Sequence, residues 1–217
     1  MIRNFLVSKM TRERLDPFID SLSSSLYTLD IGCANSPYSG FFPKRLGFDI
    51  LPGEGVDVVG DAHELPFPNE TFEQILCTEV LEHLHTPHLA LSEMHRVLKP
   101  GGKLILTTRF LFPIHDAPGD YFRFTKYGLQ HLLRNWKNVT IKEEVSTSET
   151  FGVLLQRIAF QTEMRGGNIT KAFILLLARC TPLLKWFIKK EYGMKSKVGV
   201  REEHTIMTSG YHVIAEK

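Results

Sequence analysis

Acidic side chains recur where short apolar runs end, and their spacing is typical of a nucleotide-type ligand site. Asp30 closes the first run, Asp49 lies 17 positions beyond Gly32, and Asp61 precedes Ala62 after a third run. In nucleotide-binding folds, an acid about 20 residues beyond such a glycine binds the ribose diol. Each carboxylate alone also fits a helix cap or a turn, but three at successive strand ends favour a ligand site.

A second group of reactive side chains lies between positions 109 and 125, after another apolar run. His115, with Asp116 or Asp120 nearby to orient it, is a candidate general base, and Tyr121 and Arg123 are candidates for binding a polar or anionic acceptor. His83 is a further candidate catalytic residue. Two structural alternatives stay open: Asp120 pairs with Arg123 in a loop whose aromatic residues are buried, and His83 packs beneath a ligand loop.

The elements that must position these groups alternate between strands and helices. Amphipathic periodicity predicts helices at 12–25, 87–98 and 125–134. Strands are predicted at 26–31, 45–50, 56–59, 74–77, 103–108, 139–145 and 211–215. This alternation predicts an α/β fold with a mostly parallel sheet and helices on both faces. Ligands then bind beyond the carboxyl ends of the strands, where the acidic residues are expected.

The last two predicted strands are separated by about 60 residues, far more than a usual connection needs. We therefore predict one domain over residues 1–217, with a helical apolar insertion or cap at 148–205. Residues 173–188 are its most apolar part, and as a helix they would measure roughly 24 Å, short of a hydrocarbon core of about 30 Å. Arg179, Pro182 and Lys185 also interrupt this part, so a membrane span is not expected. A buried cap, a homodimer contact and peripheral contact with a membrane all stay open.

Composition excludes several classes of protein. With 217 residues, 43% hydrophobic and 23% charged, the chain is neither disordered, nor collagen, nor a coiled coil. A net charge of +2 without a basic stripe predicts no nucleic-acid partner. Cys33, Cys77 and Cys180 are too few and too scattered for disulfides or a tetrahedral zinc site, so we predict no metal site and a cytoplasmic location. The first nine residues also lack an apolar run long enough for a secretory signal.

Five short runs follow one another in a fixed order between positions 26 and 110. They are Leu29-Asp-Ile-Gly-Cys-Ala34, Asp61-Ala62, Leu65-Pro-Phe-Pro-Asn-Glu-Thr-Phe72, Glu79-Val-Leu-Glu-His83 and Arg96-Val-Leu-Lys-Pro-Gly-Gly102. Together they resemble class I S-adenosylmethionine-dependent methyltransferases of the type 11 kind. The resemblance implies a Rossmann-like, seven-stranded sheet and S-adenosyl-L-methionine as the cofactor.

The resemblance also implies where the cofactor would lie. Its methionine part would contact the glycine loop and the end of the fourth strand, its ribose would contact Asp49, and its adenine would lie beside Asp61. The implied cofactor-binding residues are Asp30, Gly32, Ala34, Asp49, Asp61, Ala62, Cys77 and Glu79. The chain departs from the family where Ala34 and Ser36 replace the usual second and third glycines. A dinucleotide-binding enzyme is disfavoured because its G-x-G-x-x-G pattern is not met.

These observations predict methyl transfer to a small-molecule or glycan-type acceptor, chiefly through oxygen. The run Asp120-Tyr-Phe-Arg-Phe-Thr125 bears a weaker resemblance to methyltransferase-domain proteins associated with bacterial surface polysaccharides. Combined with the apolar segment, it suggests a lipid-linked glycan at the inner face of the membrane. The alternative is a noncatalytic or regulatory module of the same fold, which the altered glycine loop and the apolar segment both motivate.

Overall fold

A seven-stranded sheet organises the protein in a computed structural model that describes residues 6–33, 38–188 and 205–217. The strand order across the sheet is β3-β2-β1-β4-β5-β7-β6. The strands are β1 (Thr28–Ile31), β2 (Arg45–Asp49), β3 (Val58–Val59), β4 (Phe72–Thr78), β5 (Leu98–Arg109), β6 (Lys137–Glu143) and β7 (Gly210–Glu216). The predicted Rossmann-like α/β class is therefore confirmed.

Pairing in the sheet is mostly parallel. β1 pairs in parallel with β2 and β4, β2 with β3, and β4 with β5. Lys217 N donates to Gly102 O at 3.0 Å, which places the end of β7 beside the start of β5 and makes that pair antiparallel. The register sets Ile31 beside Phe48 on one side and Cys77 on the other, so the carboxyl ends of the three strands meet at one edge.

The helices are α1 (Arg12–Asp20), α2 (Pro87–Val97), α3 (Lys126–Leu132), α4 (Thr147–Gln161) and α5 (Gly167–Cys180). A 3₁₀ helix, Leu81–His83, follows β4, and a second one, Thr181–Trp186, follows α5. Thr125 caps α3, because its hydroxyl accepts a hydrogen bond from Gly128 N. Ser146 and Glu149 form a reciprocal capping box at the start of α4.

The described residues form two compact units. The sheet unit contains residues 18–33, 38–110, 114–142 and 211–217, and every described residue that the sequence nominated for the site belongs to it. All four residues of β1 are buried, since the strand is covered on both faces, as expected for a parallel strand. The buried side chains of this core include Leu29, Ile31, Phe72, Ile75, Met94, Leu104, Leu106 and Val213.

The helical unit contains residues 6–17, 111–113, 143–188 and 205–210. A small core of Met10, Phe112, Val153 and Ala178 lies within it. Gly152 lets α4 approach α5, because a Cβ atom at this position would lie 2.6 Å from the carbonyl oxygen of Ala178. The predicted insertion at 148–205 overlaps this unit, and its status as a separate cap stays a prediction.

The apolar segment forms α5 and the 3₁₀ helix Thr181–Trp186, which follow one another directly. Pro182 lies in the first turn of the 3₁₀ helix. Within the described residues, Gly167–Trp186 is long and apolar enough to cross a membrane, and 17% of it is buried. A single stretch of this kind is only a weak indication of a span.

Candidate functional site

The loop after β1 is shaped by Gly32, which has a positive φ of 73°. Its N–H donates to Phe48 O at 2.8 Å, so the chain turns sharply as it leaves the sheet. A Cβ atom on Gly32 would lie 2.2 Å from Cγ2 of Val80. Only glycine meets both conditions without strain, and the bare backbone leaves room for a ligand to approach. Ala34, also predicted to bind the cofactor, lies outside the described residues.

Two of the predicted acids follow neighbouring strands at this edge. Asp49 ends β2, and its Oδ1 accepts a hydrogen bond from Leu51 N at 3.1 Å, which orients the carboxylate at the turn. Asp61 lies just beyond β3 with its side chain 51% exposed, and the buried Ala62 follows it. The N–H of His63 donates to Asp61 at 2.9 Å and contributes most to lowering the pKa of that carboxyl. Both carboxylates are therefore oriented by backbone hydrogen bonds.

Glu79 closes β4 in a backbone conformation that non-glycine residues rarely adopt, with φ at 59°. Thr107 holds it there, since the threonine hydroxyl donates to Glu79 Oε1 at 2.9 Å and the threonine carbonyl accepts from Glu79 N at 3.0 Å. The Arg109 guanidinium forms an ion pair with Glu79 Oε2. Residues held in such conformations cluster at ligand sites, so this geometry favours Glu79 as a binding residue.

Two predicted cofactor-binding residues have side chains that face the protein interior. Asp30 is 1% exposed, and its Oδ2 lies 3.2 Å from Nη1 of Arg45. The carboxylate thus forms an ion pair within the sheet, and its contact with a ligand stays a prediction. Cys77 is fully buried, which raises the pKa of its thiol and keeps it protonated. Any contact of these two residues with a ligand would have to come from their backbone.

The 3₁₀ helix after β4 carries Glu82, whose side chain is completely buried. Burial, reinforced by the nearby Glu79 carboxylate, raises the pKa of Glu82 to about 8. Its Oε2 accepts a hydrogen bond from the hydroxyl of Thr108 at 2.6 Å, whereas Oε1 has no hydrogen-bond partner among the described residues. A buried carboxylate with one unsatisfied oxygen is costly for the fold, and such groups call for a functional explanation.

The two candidate histidines face each other beside this carboxylate. The rings of His83 and His115 are 4.8 Å apart between centroids and are nearly perpendicular. His83 Nδ1 lies 2.8 Å from the carbonyl oxygen of Gly119, which can only accept, so Nδ1 carries the proton and Nε2 the lone pair. His115 N donates to Asp120 Oδ2 at 3.0 Å, and its Nδ1 lies 3.5 Å from the same oxygen.

Asp120 is saturated by the contacts it makes. Both terminal nitrogens of Arg123 donate to its carboxylate at 2.6 Å, and this pairing lowers the pKa of Asp120 to about 2. An ionised carboxylate with these partners is a poor proton acceptor at neutral pH. Asp120 thus contacts His115 as expected of a carboxylate that orients the imidazole, and the Asp120–Arg123 pair anticipated by the structural alternative is present. The catalytic role of Asp120 stays a prediction.

The rest of this loop is hydrogen-bonded to the 3₁₀ helix, and the ring of Tyr121 is exposed. The N–H groups of Tyr121 and Phe122 donate to the carbonyl oxygen of Glu82 at 3.0 and 3.1 Å. The Tyr121 side chain is 52% exposed, so the alternative of fully buried aromatics does not hold at this position. Arg123 is largely buried and occupied by Asp120, so Tyr121 is the better placed of the two for contact with an acceptor.

Sequence reasoning considered Glu82 together with His83 as a candidate base after the fourth strand but did not select it for the site, and it left Thr107, Thr108 and Arg109 out. Glu82 stands in the recognised Glu79-Val-Leu-Glu-His83 run, and its place three residues after Glu79 was an available signal. For the threonines and Arg109 the sequence carried no such signal, because their contacts depend on the pairing of β4 with β5, which sets Thr78 beside Thr107.

Comparison with known proteins places this edge of the sheet in a family context. Residues 29–106 match a family model described as a methyltransferase domain. The chain is 36% identical over 103 residues to tRNA (carboxymethyluridine(34)-5-O)-methyltransferase of Arabidopsis thaliana, a match covering 42% of this chain and 26% of that protein. It is 43% identical over 65 residues to the ubiquinone/menaquinone biosynthesis C-methyltransferase UbiE of Bordetella parapertussis, covering 29% and 25%. The chain thus spans only a minor part of these two curated relatives.

Solved structures resemble the chain over nearly all its length. A SAM-dependent methyltransferase from Archaeoglobus fulgidus superposes with a TM-score of 0.60 at 16% identity, covering 96% of this chain and 93% of that one. The cyclase SpnF superposes with a TM-score of 0.56 at 17% identity, covering 94% and 81%. Identities this low show the fold alone, and one fold can carry different chemistries.

Proposed function

Because residues 29–106 belong to the class I S-adenosylmethionine-dependent methyltransferases, we propose that this protein methylates a hydroxyl oxygen of an amphiphilic, glycan-type acceptor. The observation that carries the proposal is the edge of the sheet where Gly32, Asp49 and Glu79 follow neighbouring strands. The bare turn at Gly32 and the oriented carboxylate of Asp49 fit the methionine and ribose parts of that cofactor.

In this reaction the protein must align the methyl acceptor and take up the proton of its hydroxyl group. S-Adenosylmethionine, when bound, supplies an electrophilic methyl group whose bond to sulfur breaks as the acceptor oxygen bonds to the carbon. The hydroxyl proton must leave during this step. His83 and His115 are the proposed acceptors for it, and Gly119 and Asp120 hold the two rings in place.

The acceptor is proposed to enter along the loop that carries Tyr121. Its exposed ring lies edge-on to His85, with 6.2 Å between centroids, and offers an apolar face with a polar hydroxyl. A sugar ring or another hydroxyl-bearing ring suits such a surface. The two curated relatives act, by their names, on a tRNA and in quinone biosynthesis. They match this chain over too little of their length to assign its acceptor.

The assay that tests this function uses the full chain, methyl-labelled S-adenosylmethionine and fractionated cell extract. We expect label in an organic-phase or glycan fraction, in a linkage that resists mild alkali, as an ether does. Alkali-labile label would contradict O-methylation of a hydroxyl group, and label in tRNA would contradict the acceptor class. A folded sample that gives no calorimetric heat with S-adenosylmethionine or its demethylated product would favour the noncatalytic module.

The helical unit supports the membrane part of the proposal. Trp186 is 84% exposed and Phe173 is 57% exposed, although both belong to the apolar stretch Gly167–Trp186. Lys185 is exposed within this stretch, and Lys189 and Lys190 follow in the sequence. Exposed aromatic side chains beside cations are typical of helices that lie in the interface of an anionic membrane.

Flotation with anionic liposomes tests this contact. We expect the wild-type chain to float and Trp186→Ser to float at least about tenfold less, since burying a large apolar side chain contributes about 1.5–3 kcal/mol. Phe151→Ser is the control, because this exposed aromatic lies on α4 outside the apolar stretch. A wild-type chain that stays entirely at the bottom of the gradient would contradict peripheral membrane binding.

A further inference from the structure

Three potential metal ligands converge in the sheet unit, although the sequence predicted no metal site. Glu82, His83 and His115 each offer a ligand atom, and these atoms lie within 4.8 Å of one another. Two residues come from the 3₁₀ helix after β4 and the third from the loop after β5. Two imidazoles and one carboxylate form a common ligand set for divalent transition metals, which leaves further coordination positions open.

The histidine at position 83 is prepared for coordination by its hydrogen bond. Its Nδ1–H donates to Gly119 O at 2.8 Å, which fixes the tautomer and directs the lone pair of Nε2 elsewhere. Metal-ligating histidines in proteins typically donate their other N–H to a carbonyl or carboxylate oxygen in this way. For the ring of His115, the Asp120 carboxylate takes the position that Gly119 O has beside His83, with 3.5 Å between Oδ2 and Nδ1.

The carboxylate provides an independent sign of a missing partner. Glu82 is fully buried and its Oε2 accepts a hydrogen bond from Thr108, whereas no residue in the described part of the chain donates to its Oε1. Leaving such an oxygen unsatisfied inside the protein costs free energy, whereas a cation beside it would satisfy it. The backbone of Glu82 is held as well, because Tyr121 N and Phe122 N donate to its carbonyl oxygen.

A second cluster, Asp61, His63 and His85, has similar composition but lacks this preparation. His63 Nδ1 lies 2.5 Å from Asp61 Oδ1, and His63 Nε2 accepts from Thr86 N at 3.2 Å. Both ring nitrogens of His63 are thus engaged within the protein, so neither has a lone pair left for a metal. This cluster therefore serves as a matched comparison.

We propose that Glu82, His83 and His115 form a binding site for one divalent transition-metal ion. Two of the three ligands are imidazole nitrogens, so the site should prefer Zn²⁺ or Mn²⁺ over Mg²⁺, which favours oxygen ligands and keeps its water. With the cation in place, the two histidines act as ligands and no longer as the direct proton acceptors.

The consequence for the acceptor rests on the proposed methyl transfer. A cation at this site would attract acceptor oxygens and lower the pKa of a hydroxyl group that reaches it, so the proton can pass to water. Open coordination positions favour an acceptor that presents two neighbouring oxygens. The inferred acceptor class is therefore a vicinal diol of a sugar or an ortho-dihydroxy ring, with one of the two hydroxyl oxygens methylated.

Metal binding is measured on the full chain after chelator treatment and desalting, with Mn²⁺ followed by electron paramagnetic resonance and Zn²⁺ by calorimetry. We expect one equivalent of saturable binding for each ion. Glu82→Gln, His83→Ala and His115→Ala should each weaken it at least about tenfold. His85→Asn should bind as the wild type does, because His85 belongs to the second cluster and is not one of the three proposed ligands. Circular dichroism confirms that each variant is folded.

Absence of saturable binding of both ions to the folded wild-type chain would overturn the site. Binding that survives all three cluster variants but fails in His85→Asn would overturn it as well. Metal binding is measured without S-adenosylmethionine, so it stands or falls separately from methyl transfer. If methyl transfer occurs and neither chelator nor Glu82→Gln reduces it, the cation has no part in the reaction and the inferred acceptor class is wrong.

Discussion

Replacing Gly32 with alanine is expected to destabilise the protein by about 2–5 kcal/mol and to abolish measurable binding of S-adenosylmethionine. The left-handed backbone at this position costs about 1–2 kcal/mol for a residue with a Cβ atom. The added methyl group would also lie 2.2 Å from Val80 Cγ2, and forced repacking costs typically 1–3 kcal/mol. Because valine is stiff at χ1, relief must come from movement of the backbone next to Glu79. Urea unfolding and calorimetry measure the two effects.

Two further variants separate these contributions. Gly40→Ala is the control, since a Cβ there would meet none of the described residues within 4 Å and its φ is not left-handed, so stability should change by no more than about 0.5 kcal/mol. In a double-mutant cycle, Val80→Ala should recover the steric part of the Gly32→Ala cost and leave the backbone part. If Gly32→Ala were as benign as Gly40→Ala, the described turn after β1 would be wrong.

The sequence predicted the sheet well because parallel strands buried on both faces are nearly continuous apolar runs. The four residues of β1 and the central part of β4 show this burial, and both strands lie where the runs predicted them. The start of β5 was placed five residues too late. Lys99, Pro100 and Gly101 are typical of a turn, whereas here they extend β5 beside the end of β7, a long-range pairing that local sequence does not encode.

The candidate site was harder to predict, since acidic residues at strand ends differ in the contacts that their side chains make. Asp30 and Asp49 have the same sequence context, an acid closing an apolar run. Asp30 faces inward because Arg45, on the neighbouring strand β2, is there to pair with it, whereas Asp49 lies at the turn that leaves the sheet. Partner residues that come from another strand decide between the two roles, and a single sequence does not show them.

The cluster around Glu82 also depends on contacts that the sequence does not show. The sequence placed His83 and His115 as two separate candidate bases, 32 positions apart. Folding brings the centroids of their rings to 4.8 Å from each other because the loop after β5 returns to the 3₁₀ helix, where two of its N–H groups donate to the carbonyl oxygen of Glu82. The proposed metal site depends on this loop conformation, and the spacing of its ligands in the sequence does not predict it.

Asp49→Ala is expected to weaken binding of S-adenosylmethionine by about 1.5–3 kcal/mol, which corresponds to roughly a 10- to 150-fold rise in Kd. The carboxylate is proposed to accept hydrogen bonds from the ribose hydroxyls, and hydrogen bonds to a charged group contribute this much. Its orientation by Leu51 N–H means that little conformational entropy is lost on binding. Calorimetric titration with the cofactor and with its demethylated product gives the affinity directly.

A ligand lacking the ribose 2′-hydroxyl makes this test specific to the contact. The wild-type protein should bind the 2′-deoxy analogue of the demethylated product more weakly than the parent compound, whereas Asp49→Ala should bind the two alike. Glu54→Ala is the charge-matched control, since this exposed carboxylate lies in the loop that follows β2. If the wild-type chain and Asp49→Ala lose the same affinity for the analogue, the ribose lies against another residue. The carboxylate of Asp49 would then only stabilise the turn after β2, through its hydrogen bond from Leu51 N.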